Sequence, residues 1–305
     1  MKNKFIIILL VVCSYLQSSA GGYAGSPYKY GSNARQIALS NSLIASQNAG
    51  YNALTNPALL GSVKKMEVGF SYFDMSLDRY IQTLSITIPS PPIASIGLST
   101  YILGTSDIPG TTSGNVSTGS FSAWEGYAML SFGVKFGNFS PGINFKVLQN
   151  RMASYSADGV GLDLGFLYKV STKIQLAAML ENLYTKYSWD IYDGSNNISY
   201  DEEFPLTVLG GLAVKINDSE LFLYQVDYIP DFKICIHKIG LELTLNDIEY
   251  RFGLHNKNNT LKYSFGFGSP IFKTKNNFKI GLDYAMDTGK INEGISHLFT
   301  FTFFK

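Results

Sequence analysis

Acidic and aromatic side chains gather in one stretch of the chain, between residues 189 and 203. The stretch contains Trp189, Asp190, Tyr192, Asp193, Asp201, Glu202 and Glu203. Clustered carboxylates are ligands that calcium prefers, although calcium loops space them more tightly than here. Aromatic side chains on a surface loop can instead anchor a partner protein. Three interpretations stay open for this stretch: a solvated loop, a partner-binding surface and a calcium site.

Other residue types that could do chemistry are isolated in this sequence. His237, His255 and His297 have no His, Cys or carboxylate at the spacing of a zinc site. The chain also lacks a Gly-x-Ser-x-Gly elbow, a phosphate-binding loop and a dinucleotide fingerprint. Lys and Arg number 24 against 23 Asp and Glu, so no basic excess exists to neutralise a nucleic-acid backbone. We therefore expect no catalytic site, no metal, no cofactor and no nucleic-acid partner.

The composition and the first residues indicate a folded, exported protein. Charged residues make up 15% of the chain and hydrophobic residues 46%, which excludes a disordered chain and makes a poor water-facing surface for a cytosolic enzyme. Lys2 and Lys4 precede the apolar run 5–12, and small residues follow at 18–20. This is the pattern of a secretory signal peptide over residues 1–20. Cys235 is the one cysteine left after its removal, so no intramolecular disulfide is expected.

Alternation of apolar and polar residues dominates the rest of the chain. In 278–286 every second residue is apolar, and Lys279, Gly281 and Asp283 lie between them. Period two predicts strands with one apolar and one polar face. About fourteen segments follow this pattern, at 66–75, 80–88, 94–103, 121–136, 140–149, 159–169, 174–184, 206–215, 220–229, 233–245, 248–255, 260–268, 277–286 and 296–304.

Two folds can hide the apolar faces of so many strands. In a sandwich these faces pack between two sheets, whereas in a membrane barrel they face lipid and the polar faces line a lumen. The polar rows are rich in Gly, Ser and Thr, and tight turns alternate with longer connections such as 104–120 and 185–205. No run of 18 apolar residues follows the signal peptide, so transmembrane helices are not expected. We predict an all-β, transmembrane antiparallel β-barrel of about 14 strands over residues 65–305, with the sandwich as the alternative.

One hairpin of the predicted barrel can be registered from the sequence. A two-residue turn at Asn246 and Asp247 places Glu242 opposite Arg251 on the luminal face. The two side chains would then form a cross-strand ion pair, which contributes about 0.2–1 kcal/mol when it is wet. We expect this luminal pair either to keep the lumen polar or to take part in conduction or binding.

The residues before the first predicted strand resemble a known family. Three blocks within residues 33–60 are similar to the N-terminal signature of the PorV/PorQ family of outer-membrane proteins, relatives of the FadL-type channels for hydrophobic compounds. Asn56, Pro57 and Ala58 match the Asn-Pro-Ala element that these families share. The stretch 113–123 is similar to the loop before the fourth strand in the PorQ branch. The late hairpin and the last two strands also resemble the family.

The resemblance implies a fourteen-stranded barrel whose N-terminal segment, residues 21–64, folds into the lumen as a hatch. Arg35 and the Asn-Pro-Ala element are the hatch residues that it implies. Ser40 and Asn41 stand where the family has glycines. For Asn56, a structural role in an Asx turn that caps buried backbone competes with a role in gating.

Two functions follow from the resemblance, both in the outer membrane of a Gram-negative bacterium and among its lipids. The first is a component of the type IX secretion machinery, which anchors or presents partner proteins at the cell surface through its outer loops. The alternative is a FadL-like channel that takes hydrophobic molecules past the hatch to a lateral opening, with a ligand in the lumen. A kinked or Gly-rich wall strand would favour the channel, and 206–215 is a candidate unless Gly210 and Gly211 form only a bulge. Neither function is enzymatic.

Overall fold

The N-terminal part of the structure is built from short helical elements. The computed structural model describes residues 22–114, 116–153, 155–192, 197–257, 260–269, 272–273, 279–287 and 296–304. The expected signal peptide and Asp193 lie outside these residues. The helices are α1 (Ala34–Ala38) and α2 (Asn52–Thr55), with 3-10 turns at Ser26–Lys29, Pro57–Ser62 and, late in the chain, Pro230–Phe232. Among the described residues, no helix is both long and apolar enough to cross a membrane.

Antiparallel strands form nearly all of the remaining described structure. They are β1 (Glu67–Met75), β2 (Arg79–Ser90), β3 (Ala94–Thr111), β4 (Ser117–Val134), β5 (Phe139–Met152), β6 (Tyr155–Lys169), β7 (Ile174–Tyr192), β8 (Asn197–Glu203), β9 (Thr207–Asn217), β10 (Glu220–Ile229), β11 (Ile234–Leu245), β12 (Ile248–Lys257), β13 (Thr260–Gly268), β14 (Phe272–Lys273), β15 (Lys279–Asp287) and β16 (Ser296–Phe304).

The strands close into a barrel. Of the 16 strands in the sheet, β8 and β14 lie off the ring, and the other fourteen pair in sequence order from β1 to β16. The ring is closed because β1 pairs with β16 along eight residues. Closure confirms the predicted barrel over the sandwich, and each of the fourteen predicted segments coincides with one ring strand. We call the end where β1 begins and β16 finishes the terminal end, and the opposite end the distal end.

The predicted alternation sets which side chains face out and which face in. Large apolar residues project from the outer wall, as lipid contact requires; examples are Phe70, Leu98, Phe145, Phe252 and Phe301. The inward rows carry small polar residues that are buried; examples are Ser71, Thr83, Ser99, Ser131 and Thr300. An apolar exterior around a polar, filled interior is the reverse of a water-soluble domain, and it explains the low charge of the sequence.

Two segments that the sequence analysis treated as loops are strands in the structure. β3 and β4 continue through most of 104–120 as a distal hairpin, with Ile108 opposite Phe121. β7 continues to Tyr192 and pairs with β8, so 185–205 is mainly a hairpin as well. The prediction fails there because both faces of a strand outside the membrane meet water, so alternation of apolar and polar residues is no longer required.

The barrel wall is irregular in β7, and not at the glycines of β9. β7 carries two extra residues opposite Val160–Leu164, and Asn182 and Tyr184 take positive φ values of 66° and 51° within these bulges. Gly210 and Gly211 instead lie in an unbroken ladder with β7 and β10. The expectation of a kink or bulge at this glycine pair is therefore wrong. Gly211 instead leaves room for the side chain of Ile44.

Candidate functional site

The N-terminal segment lies inside the barrel and bonds to its wall on several sides. The Ala34 N–H donates to Thr300 Oγ1 over 2.8 Å, and Thr83 Oγ1 donates to the Ser32 carbonyl over 2.7 Å. Tyr51 Oη lies 2.7 Å from Ser71 Oγ. These bonds give Ser71, Thr83 and Thr300 of the inward rows the partners that buried polar groups need. We call residues 22–63 the hatch.

The Asn-Pro-Ala element forms a tight turn in the part of the hatch that lies toward the terminal end of the barrel. The side chain of Asn56 is fully buried; its Oδ1 accepts the Ala58 N–H and its Nδ2 donates to the Ile44 carbonyl, both over 3.0 Å. Pro57 begins the 3-10 turn that follows, where its missing N–H costs nothing. Asn56 thus makes the Asx turn considered from the sequence, and its role in gating stays a prediction.

A second turn of the hatch keeps its shape without glycine. Ser40 and Asn41 take the left-handed conformation, with φ values of 51° and 58°. Asn41 tolerates this conformation well, and its Nδ2 bonds the Tyr30 carbonyl over 3.1 Å. The two residues therefore adopt a backbone shape that glycine reaches more easily.

A row of wall glycines receives the hatch. At nine positions on nine ring strands, a Cβ added to an inward-facing glycine would meet a hatch atom at 3.0 Å or less. At Gly266, for example, it would lie 2.5 Å from Ala38 Cβ, and at Gly165 it would overlap Asn56 Oδ1. We call this set the glycine belt: Gly69, Gly97, Gly133, Gly142, Gly165, Gly211, Gly240, Gly253 and Gly266. The hatch can approach the wall this closely only where side chains are missing, so the glycine belt lets it lie directly against nine strands.

A buried ion network joins the hatch to the wall. The hairpin register is the one predicted, with Glu242 opposite Arg251, and Arg251 Nε donates to Glu242 Oε2 over 2.7 Å. Arg35 of the hatch grips the same carboxylate with Nε and Nη2, each at 2.8 Å, and donates Nη1 to the Gln47 carbonyl. Arg251 is 1% exposed and also pairs with Asp283 and Glu249.

One hatch residue and one wall pair that were predicted separately therefore form one site. Arg35 was expected in the hatch and Glu242 in the wall, and the structure joins them through a bidentate pair. The hatch covers the Glu242–Arg251 pair, whose residues are 8% and 1% exposed, so the energy range of a wet pair does not apply to it. Its function beyond this geometry stays a prediction.

Further luminal ion pairs were missed by the sequence analysis. Lys29 of the hatch pairs with Glu181 and donates to Thr207 Oγ1 over 3.1 Å. Burial alone would lower the pKa of Lys29, but the nearby carboxylates outweigh it and raise the pKa. Lys146 pairs with Asp163 at 2.8 Å within the wall. In the sequence, these pairs were indicated only by charged residues at strand positions that face the lumen.

The distal half of the lumen is lined by aromatic and aliphatic side chains. Its buried wall members come from β1, β2, β3, β5, β6, β7, β15 and β16 and from the short link between β8 and β9. They include Phe73, Met75, Ile81, Tyr101, Leu148, Tyr187, Trp189 and Phe204. Tyr101 and Tyr127 stack with ring centroids 5.6 Å apart. Such a lining suits an uncharged apolar molecule better than an ion or a sugar, because it offers few hydrogen-bond partners.

The acidic and aromatic stretch of the sequence forms the β7–β8 hairpin at the distal rim. Asp201 pairs with Lys186 at 2.5 Å, and Asp190 accepts from Ser199 Oγ. Trp189 faces the lumen and donates its Nε1 to Glu202 Oε2 over 2.8 Å. Glu203 lies opposite Lys186 in the ladder, and Tyr192 ends β7. These carboxylates bond to separate neighbours, and among the described residues no group of three His, Cys, Asp or Glu could hold a metal.

Comparison with known proteins identifies the fold. No family model and no curated protein sequence matches the chain. The Pseudomonas putida toluene transporter TodX matches with a TM-score of 0.64 and 13% identity, over 90% of this chain and 97% of that chain. A Pseudomonas aeruginosa FadL homologue matches with a TM-score of 0.62 and 11% identity, over 90% and 98%. The CymD monoaromatic hydrocarbon channel matches at 0.60 and 13%, over 93% and 98%. At these identities the likeness concerns the fold alone, and that fold is the one of the FadL-type hydrocarbon channels.

Proposed function

We propose that this chain is an outer-membrane channel for small hydrophobic molecules, with monoaromatic hydrocarbons as its substrate class. The observation that carries the proposal is the aromatic and aliphatic lining of the distal half of the lumen, closed off at the terminal half by the hatch. The distal end would face the outside of the cell. A molecule entering there would leave water for an apolar site and would reach the terminal half only when the hatch moves.

The structural neighbours support this proposal over the secretion role. TodX is a toluene transporter and CymD a monoaromatic hydrocarbon channel, and both share the fold over nine tenths of this chain or more. The PorV/PorQ relationship and the secretion role rest on the sequence resemblance alone. Passage of a molecule through a channel also needs no catalytic group.

Binding of toluene can be followed by the fluorescence of Trp189, which is buried among the luminal aromatic residues. The chain has two tryptophans, so Trp124→Phe leaves Trp189 as the single reporter. We expect toluene to change its emission in a saturable way in the purified, detergent-solubilised protein. We also expect cells that produce the full chain to accumulate labelled toluene several-fold faster than cells without it.

The reverse variant, Trp189→Phe, is the control. It keeps Trp124, which lies on the opposite face of β4 from Tyr127 because the two residues are three positions apart and successive side chains alternate between faces. Emission from Trp124 should not saturate with toluene. A response that is linear in both variants, together with uptake equal to that of barrel-free cells, would contradict the channel function.

Docking of a cell-surface partner, as in type IX secretion, is the second candidate function. It is favoured by apolar side chains exposed on the distal hairpins, where Ile198, Tyr200 and Val116 are 47%, 48% and 65% exposed. If this function holds, affinity purification in mild detergent should co-isolate surface-anchored proteins. Ile198→Ser with Tyr200→Ser should abolish that co-isolation and leave toluene uptake unchanged. Isolation of the barrel alone, or equal recovery with the double variant, would count against docking.

A further inference from the structure

One hatch residue fills an aromatic slot in the distal half of the lumen. The ring of Tyr28 meets Tyr101 and Tyr127 edge-on, with centroid distances of 5.6 and 5.1 Å. It stacks on Phe204 at 6.2 Å with the planes 20° apart. Its hydroxyl lies 2.6 Å from the hydroxyl of Tyr187. Edge-on and stacked contacts are the arrangements that aromatic rings prefer, so the slot is shaped for one six-membered ring with a polar group at one end.

The walls of the slot and its occupant belong to different parts of the molecule. The walls come from β3, β4, β7 and the link after β8, which are ring strands or continuous with them. The occupant comes from the single turn Ser26–Lys29 at the start of the hatch. Tyr28 remains partly exposed, unlike the fully buried residues of the glycine belt region. The occupant thus belongs to another segment than the walls, and because Lys29 ties its turn to Glu181 of the wall, leaving the slot takes a rotation of the Tyr28 side chain.

The slot favours a neutral hydroxyl group. Burial raises the pKa of the Tyr28 hydroxyl, so it stays protonated. The polar groups at that end of the slot are the Tyr187 hydroxyl and, 3.5 Å from it, the Glu125 carboxylate. The Tyr187 hydroxyl can donate or accept a hydrogen bond, so a hydroxyl group on a ligand can replace that of Tyr28. A plain hydrocarbon would leave the Tyr187 hydroxyl without the partner that Tyr28 supplies.

We propose that this slot is a subsite for a neutral phenol, and that Tyr28 occupies it as an internal substitute that the ligand must displace. The inference rests on the proposed channel function and extends its substrate class from monoaromatic hydrocarbons to their hydroxylated relatives. Because Tyr28 competes for the slot, the apparent affinity for phenol is reduced by the fraction of molecules in which the slot is free. Removing the Tyr28 side chain should therefore tighten binding.

The test measures equilibrium binding of labelled phenol to the purified full chain. If Tyr28 fills the slot in nine molecules of ten or more, Tyr28→Ala should bind phenol about tenfold more tightly than the wild type. Tyr28→Phe keeps the ring but loses the bond to Tyr187, so we expect a smaller gain of roughly two- to fivefold. Tyr23→Ala is the matched control, since Tyr23 belongs to the same segment but packs on Phe232. Its affinity should stay within about twofold of the wild type.

Selectivity provides a second measurement in the same experiment. Tyr28→Ala should prefer phenol to toluene by roughly fivefold or more, and adding Tyr187→Phe should remove that preference. Unchanged phenol affinity in both Tyr28 variants, or an equal gain in Tyr23→Ala, would overturn the inference. Toluene uptake by the wild type distinguishes failure of the subsite from failure of the channel function. If the wild type takes up toluene but the Tyr28 variants do not change phenol affinity, only the subsite is refuted. If there is neither uptake nor a Tyr28 effect, the channel function is refuted as well.

Discussion

Gly211→Ala is expected to dislodge the hatch, whereas Gly210→Ala should leave it in place. A Cβ at Gly211 would overlap Ile44 Cγ2, and Ile44 is held by the Gln225 side chain at its N–H and by Asn56 at its carbonyl. The strand cannot shift away, because Gly211 is hydrogen-bonded into a regular ladder on both sides. A Cβ at Gly210 faces outward and meets nothing within 4 Å.

The expected size of the effect follows from overpacking. An extra carbon in a tightly packed site costs about 1–3 kcal/mol, which corresponds to roughly a 5- to 150-fold increase in the open population of the hatch. Amide hydrogen exchange over residues 34–62 measures this in the folded barrel. Gly210→Ala should be neutral or stabilise its strand slightly, because alanine restricts the unfolded chain more than glycine does. Equal exchange in the two variants would show that the glycine belt does not hold the hatch.

The strands of the barrel could be predicted from sequence because the physics that selects them is local. A membrane strand must turn one face to lipid and one to the lumen, so alternation marks nearly every residue of 248–255 and 278–286. The hairpin register is also local: Asn246 and Asp247 take positive φ values of 51° and 64°, as a tight hairpin turn requires. The distal hairpins were missed because lipid does not shape their faces.

The candidate site could not be predicted from the sequence, because its residues come together only in the folded structure. Arg35 and Glu242 are 207 positions apart, and neither residue carries a sign of the other. The glycines on the inward rows were visible in the sequence, but what they make room for is decided by where residues 22–63 lie. Tyr28 is one of three tyrosines in a short glycine-rich segment, and only the rings from four other parts of the chain distinguish it. Local sequence patterns thus predicted the strands of the wall, whereas the contacts inside the barrel join residues that are far apart in the sequence.

The second large effect is expected at Glu242, the carboxylate that Arg35 and Arg251 share. Glu242→Gln keeps the shape of the side chain but removes the charge between two buried guanidinium groups. Breaking a buried ion pair from one side costs about 3–5 kcal/mol, since the remaining charge has no water to solvate it. We expect faster hydrogen exchange in α1 than Gly211→Ala produces, together with a lower thermal midpoint of the barrel.

A double-mutant cycle isolates the link between hatch and wall. Arg35→Met should be costly in the wild type but much less so in the Glu242→Gln background, because its partner charge is already gone. Asp201→Asn is the control: it breaks the Lys186 pair on the exposed distal hairpin, and hatch exchange should not change. If Arg35→Met had the same cost in both backgrounds, the pair would not couple the hatch to the wall. A coupling energy close to the full cost of Arg35→Met would instead show that the Arg35–Glu242 pair is a strong attachment of the hatch to the wall. This contact would then have to break before anything passes through the terminal half of the lumen.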